Sequence, residues 1–326
     1  MANQTRKLKM GIIGTGHMGQ YHVNVVAGMA NHELVGIYDS NPDRAKEIAA
    51  KYEVDAFESV ESLLDQVEAV TVAVPTFLHY EIAKAALEKG VHVLLEKPIT
   101  QTLEQALEIT QIARSKNLFL QVGHVERFNG AVMELGKIVT EPRLIQSHRL
   151  SPFTPRISDV GVVLDLLIHD LDIVINLVRA PVRDFQAMGS KIMSNSEDVA
   201  VINLAFENGC IACLTGSRVS QYKARTLTVT QDKSYIFLNY ANQDIEIHRQ
   251  ASSAYLMTPD EIKYSQESFV EKLYVHKDNP LRSEHQHFYD CIVKGETPMV
   301  QNEKDIETLR IALESLKSIN GSTNVR

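Results

Sequence analysis

The chain contains no tryptophan, 6% aromatic residues and only three cysteines in 326 positions. Cys210, Cys213 and Cys291 are too few to staple a domain with disulfides, and such sparing use suits a reducing compartment. An excess of positive charge is also missing: 33 Lys and Arg against 41 Asp and Glu leave a net charge of −8. There is no global basic field to hold nucleic acid or an anionic membrane, so an anionic substrate needs a local cluster of Arg and Lys. No apolar run approaches the ~20 residues of a membrane span. Arg6, Lys7 and Lys9 imitate the start of a signal peptide. Gly11, Gly14 and Gly16 interrupt the apolar stretch behind them, and no small-residue cleavage site follows. A cytoplasmic protein without membrane or nucleic-acid partners is the expectation.

What is present is ordinary for a globular protein: 44% hydrophobic and 23% charged residues. The length accommodates about two domains of roughly 150 residues each. Short apolar runs at 9–13, 34–38, 69–74, 91–95 and 118–122 alternate with helix-period segments at 18–29, 42–52, 60–66, 79–89 and 102–116. Apolar strands joined by helices predict a parallel sheet covered on both faces, the doubly wound α/β arrangement. The texture changes after about residue 125. Strand patterns at 143–150, 182–192, 199–206, 210–218, 226–231, 235–239 and 245–249 predict a mainly antiparallel sheet, with Asn208-Gly209 as a hairpin turn. Helical patterns at 282–294 and 303–318 close the chain. The expected division is therefore 1–124 and an α+β domain at 125–326, whose last helices are able to pack back on the first.

Gly14-Thr15-Gly16-His17-Met18-Gly19 directly follows the first strand and opens a helix, the context that gives G-x-G-x-x-G its meaning. The first glycine permits the turn, the second admits a pyrophosphate and the third lets helix and strand pack closely, with the helix N-terminus toward the anion. Asp39, followed by Ser40, ends the second strand. A carboxylate there accepts from the ribose 2′-hydroxyl and repels a 2′-phosphate, so NAD is expected over NADP. Arg44 lies close enough in sequence to soften that preference.

The strand at 91–95 runs into Glu96-Lys97-Pro98. Ligands of open α/β sheets bind beyond the strands' carboxyl ends, and Pro98 restricts Lys97 to extended geometry. The segment 162–178 is apolar nearly all round and predicts a buried helix, with Ser158 or Asp159 as its cap. Asp165, His169 and Asp172 follow one another at i, i+4 and i+7 on one stripe of it, where ionisable groups are costly unless paired or used. Asp170 falls off that stripe and reads as a bystander.

Together these residues resemble the Gfo/Idh/MocA oxidoreductase family over nearly the whole chain. The matching features are the glycine turn with His22 behind it, Val74-Pro75-Thr76 with His79, Glu96-Lys97-Pro98, and Gly161 through His169 to Asp172. The resemblance implies a Rossmann domain followed by an open-faced, mainly antiparallel sheet domain that assembles as a homodimer or homotetramer. It implies that Lys97 contacts both nicotinamide ribose and substrate, and that Asp165 and His169 supply acid/base chemistry. Val74, Pro75, Thr76, His79 and Glu96 join the cofactor site by the same likeness. Val122-Gly123-His124-Val125-Glu126-Arg127-Phe128-Asn129, read with the segment 159–170, resembles more narrowly the UDP-N-acetylglucosamine 3-dehydrogenase branch. Those enzymes oxidise a sugar 3-hydroxyl on the route to the amino sugar of lipid A.

On this reading Lys97, His124, Arg127, Arg156, Asp165, His169 and Asp172 face the substrate. Arg127 and Arg156, with Arg143 and Arg149, are the guanidinium candidates for a diphosphate. An inositol, another sugar or a diol is the alternative substrate, and a dinucleotide-sensing regulator is the alternative outside enzymes. No metal is expected. Cys210 and Cys213 point to opposite faces of a strand, His285 and His287 diverge on a helix, and His22 and His79 bond locally rather than react.

Overall fold

The computed structural model describes residues 6–154, 160–258 and 261–322. Two compact units divide them: Met1–Val125 with Asn279–Arg310, and Glu126–Asp278 with Ile311–Arg326. The segment Asn279–Arg310 thus belongs with the first unit, although the rest of the chain beyond Val125 belongs with the second.

In the first unit β1 (Leu8–Ile13), β2 (His32–Tyr38), β3 (Asp55–Ala56), β4 (Ala69–Val72), β5 (His92–Glu96) and β6 (Leu120–Gly123) form one sheet in the order β3-β2-β1-β4-β5-β6. Every pairing is parallel. This is the strand order of dinucleotide-binding doubly wound folds, with the reversal of winding between β1 and β4. All four residues of β4 are buried, as parallel strands covered on both faces require. The crossover helices are α1 (His17–Ala27), α2 (Pro42–Tyr52), α3 (Val60–Leu64), α4 (His79–Glu88) and α5 (Leu103–Ser115). Their starts are encoded locally. The Asn41 side chain accepts from the backbone N–H of Asp43 and Arg44, with Pro42 in the first turn. Ser59 and Ser62 cap each other's backbone at α3, and Thr102 accepts from Gln105 at α5.

The second unit carries an eight-stranded sheet. α6 (Gly130–Ile138) precedes β7 (Leu144–Leu150). A π-helical turn, Val163–Leu167, then leads into α7 (Ile168–Val178). β8 (Val182–Ser190), β9 (Val199–Phe206), β10 (Ile211–Ser217), β11 (Ala224–Gln231), β12 (Ser234–Asn239), β13 (Asp244–Thr258) and β14 (Glu261–Leu273) complete it, in the order β14-β13-β12-β11-β7-β10-β9-β8. Among the described residues of this sheet only β7 and β10 pair in parallel. Gly209, at φ +85°, makes the β9–β10 turn that Asn208-Gly209 predicts. One face of β9 is buried residue by residue, and Ala200, Ile202, Leu204 and Phe206 join Leu167, Leu171 and Val174 in the core.

Three elements escape the sequence reading. α6 is a short helix, β3 has two residues, and β14 (EIKYSQESFVEKL) lacks the clean alternation of a half-buried strand. α8 (Pro280–Tyr289), a second π-helical turn (Asp290–Lys294) and α9 (Asn302–Ser322) end the chain. Phe288 and Tyr289 of α8 sit in one core cluster with Leu8, Met10 and Ile12 of β1.

Candidate active site

In the first unit the chemistry-bearing residues gather after the carboxyl ends of β1, β2, β4 and β5, where open parallel sheets take their ligands. The three glycines do different work. Gly14 has φ +87°, and a Cβ there would lie 2.5 Å from the Ala73 carbonyl oxygen. A Cβ on Gly19 would come within 1.9 Å of the Gly14 carbonyl, so α1 packs on its strand only because that atom is missing. At Gly16 a Cβ would meet nothing within 4 Å. Gly16 is also the N-cap of α1 and offers no side-chain cap. Gly16 thus leaves open space at a helix N-terminus and supplies no side-chain cap of its own, the setting a pyrophosphate occupies. The residues present fit a dinucleotide.

Asp39 is tied to this turn. Its Oδ2 accepts from the Thr15 N–H at 2.7 Å and the Thr15 hydroxyl at 2.8 Å, and its Oδ1 accepts from the Asn41 N–H at 2.9 Å. Burial pushes the Asp39 carboxyl up, but these donors and Arg44 bring it below its ordinary value, so it is ionised at neutral pH. The exposed Arg44 guanidinium stands 3.9 Å from Oδ2. Ser40, His17 and Met18 are exposed beside it, whereas Thr15 is buried. The link from Thr15 to Asp39 is absent from the sequence reading; a hydroxyl between two glycines beside the carboxylate of the next strand is the signal for it.

After β4, Val74 and Thr76 are half-buried and Pro75 is exposed. The buried His79 ring joins this loop to the next: Nε2 lies 2.9 Å from the Val74 carbonyl oxygen and Nδ1 lies 2.8 Å from that of Pro98. Burial holds its pKa below the usual imidazole value, although both carbonyls pull the other way. His79 thereby pins the turn that follows Lys97, where the Lys97–Pro98 peptide bond is cis. Lys97 itself is half-buried at the end of β5, and Glu96 and His124 are buried.

In the second unit the helix expected over 162–178 begins with the π-helical turn, a local widening that recurs at functional sites. Its N-terminus is capped from far away in sequence. Glu197 Oε1 accepts the Val163 N–H at 3.1 Å, and the Glu197 carbonyl accepts that of Val162 at 3.0 Å. A Cβ on Gly161 would fall 2.0 Å from that carboxyl group, which explains the glycine. Ser158, Asp159 and the diphosphate candidate Arg156 lie outside the described residues.

Asp165 and His169 are half-buried on this helix, whereas Asp170 and Asp172 are buried. Arg127, which the sequence reading turns toward substrate, forks onto Asp172. Its Nε donates to Oδ2 at 2.8 Å and its Nη2 donates to Oδ1, while Asn176 donates to Oδ1 at 3.1 Å. Asp170 is not the bystander expected from the helix wheel. Arg149 Nε donates to it at 2.8 Å, Arg149 Nη1 donates to Glu126 at 3.0 Å, and the Tyr240 hydroxyl donates to Asp170 at 3.1 Å. The guanidinium stacks 4.7 Å above the Tyr240 ring. Burial pushes the Asp170 carboxyl up even against Arg149. Arg149 is therefore held by carboxylates inside the unit, and Arg143 is an exposed partner of Asp232 at 3.2 Å.

Set against known proteins, the sequence shows its family. Residues 8–124 match the oxidoreductase family with an NAD-binding Rossmann fold, and residues 134–237 match the GFO/IDH/MocA C-terminal domain. The chain belongs to the Gfo/Idh/MocA oxidoreductase family. A relative named UDP-N-acetylglucosamine 3-dehydrogenase, from Acidithiobacillus ferrooxidans, is 35% identical over 246 residues, which are 75% of this chain and 78% of that one. The solved structure of the enzyme with that name and source superposes with a TM-score of 0.89 at 30% identity, covering 97% of this chain and 98% of that one. A scyllo-inositol 2-dehydrogenase (NAD(+)) from Bacillus subtilis is 24% identical over 98% of this chain and 96% of its own. The family is one of dehydrogenases, and this chain is an NAD-binding member of it. Among the described residues no helix is long and apolar enough to cross a membrane.

Proposed function

We propose that the protein oxidises the 3-hydroxyl of UDP-N-acetylglucosamine to a ketone with NAD, in the cytoplasm, on the route to the amino sugar of lipid A. The observation that carries the substrate is the likeness to the Acidithiobacillus ferrooxidans enzyme, which extends through both family domains. The Val122–Asn129 and 159–170 sequence motifs support the same branch. An inositol or another sugar remains the second reading, favoured by the full-length match to the inositol dehydrogenase.

NAD, when bound, supplies the hydride acceptor for a carbinol carbon. The Gly14–Gly19 turn and α1 hold its pyrophosphate, Asp39 its adenosine ribose, and Val74, Pro75, Thr76 and Lys97 the nicotinamide side. The hydroxyl proton must go to a base as hydride departs. The His169 imidazole takes it, and Asp165 orients that ring or bonds another sugar hydroxyl. The Lys97 ammonium stabilises the alkoxide that develops on the substrate oxygen. His124 and Arg127 stand on the substrate side, Arg127 with its orientation fixed by Asp172.

One row on the outward face of the eight-stranded sheet carries three apolar side chains and a threonine in register. Ile211, Leu144, Thr230 and Tyr235 form one row across β10, β7, β11 and β12. Ile211 and Tyr235 are 53% and 41% exposed, so we assign this face to a second copy of the chain.

The test is incubation with NAD and a panel of UDP-sugars and inositols while NADH is followed. UDP-N-acetylglucosamine is expected to give the highest kcat/KM, and a higher value with an inositol overturns the substrate. Lys97→Met and His169→Ala are each expected to lower kcat at least ~10²-fold. Near-normal turnover in either removes that residue from the mechanism.

A further inference from the structure

Glu96 is the last residue of β5, and its two carboxylate oxygens have different partners. Oε2 accepts the backbone N–H of Lys97 at 3.2 Å, and Oε1 lies 2.9 Å from Nε2 of His22 on α1. His22 is wholly buried and turns its other nitrogen, Nδ1, to Nε2 of His285 on α8 at 2.8 Å. His285 is equally buried and meets the His22 ring edge to face. Three side chains from positions 22, 96 and 285 thus form one hydrogen-bonded line ending at Lys97. Nothing in the glycine-rich or Glu-Lys-Pro motifs requires that line.

The chemistry of the line is constrained. A carboxylate can only accept, so His22 Nε2 carries a proton; the bond between the two imidazoles needs one more, on either nitrogen. Burial drives the His285 pKa far below the ordinary imidazole value, and the nearby rings of His22 and His32 add to that. The groups facing Glu96 are His22 from α1, the Lys97 ammonium from its own strand and His79 from α4. Burial pushes the Glu96 carboxyl up, but the hydrogen bond and charge of His22, with Lys97, bring it below its usual range. An ionised carboxylate in an interior is costly unless donors hold it, and a simple apolar contact would fill the same space without that cost.

We propose that His22 and His285 are positioning residues for the reaction: they keep Glu96 ionised and in one orientation, and Glu96 fixes the backbone from which the Lys97 ammonium projects. This rests on the reading of Lys97 as the group that stabilises the alkoxide. Displacements of about 1 Å at such a group cost as much as ~10²-fold in rate, and a line of buried bonds guards against them.

The experiment measures kcat and kcat/KM against pH for His22→Phe, His22→Gln, His285→Leu and Lys97→Met, using the substrate that gives turnover. NADH binding is followed in parallel by its fluorescence. His22→Phe is expected to lower kcat about tenfold or more while NADH affinity changes less than about threefold. Its acid limb should move up by about one pH unit or more, because Glu96 loses its donor and stays buried. His22→Gln, which still donates, restores most of the rate. His285→Leu shifts the limb in the same direction by less, and it carries the test if His22→Phe does not fold. Histidine variants that lose thermal stability but keep the parental kcat and pH profile overturn the proposal. If those profiles are unchanged while Lys97→Met is inactive, only the positioning role falls. A fully active Lys97→Met instead sinks the reading of the lysine itself.

Discussion

Asp39 has a duty toward the protein, and we propose a second one toward the cofactor. Its Oδ2 anchors Thr15 through two hydrogen bonds, and we propose that its charge distinguishes a 2′-hydroxyl from a 2′-phosphate. Replacing it therefore acts on both. Asp39→Ser is expected to raise kcat/KM for NADP relative to NAD by about tenfold, since 1.4 kcal/mol of lost repulsion is that factor and Arg44 is at hand. The same variant weakens NAD binding as the Thr15 anchor goes. Kinetics with both cofactors decide the matter, and an unchanged ratio removes Asp39 from cofactor choice. At this scale the sequence was least legible where a polar group is answered from afar. Asp170 stood out only as a residue off the stripe, because its partners Arg149 and Tyr240 lie on other elements and no helix wheel displays them.

The start of α1 separates two demands that one motif imposes. Gly19 is required by the protein, because a methyl group there collides with the Gly14 carbonyl, while Gly16 leaves room for something that is not protein. Gly16→Ala is expected to keep the parental melting temperature and to weaken NAD binding about tenfold or more. Gly19→Ala is expected to lose both stability and binding. A thermal melt alongside a fluorescence titration separates the two, and a Gly16→Ala protein that binds NAD normally contradicts the pyrophosphate assignment. Parallel strands and capped helices were the most legible elements, since Asn41-Pro42, Ser59 and Thr102 announce their helices within a few residues. The entry to α7 was less so. Its cap comes from Glu197, some thirty residues downstream, and its first turn is π-helical, neither of which a 3.6-residue period reveals.

For the molecule as a whole, the outward sheet face is where we propose that a second copy docks. Ile211 and Tyr235 lie on one cross-strand row, exposed, and Met188 joins them on the same face at 61% exposure. Ile211→Glu together with Tyr235→Lys is expected to shift the mass measured by light scattering from an oligomer to a monomer. A parental protein that is already monomeric overturns the assignment of this face. The fold class and the two kinds of sheet were readable from the change of texture near residue 125. The polar strand β14 was not, because it hides no regular apolar face in its sequence.

The first unit is also discontinuous along the chain. Phe288 and Tyr289 complete the same core as Leu8, Met10 and Ile12, and His285 completes the line that ends at Lys97. During synthesis the nucleotide-binding half precedes the other, yet about 290 residues must leave the ribosome before Tyr289 can join its hydrophobic interior. Until then β1 and α1 wait with one side uncovered, so the half that is made earliest matures among the last.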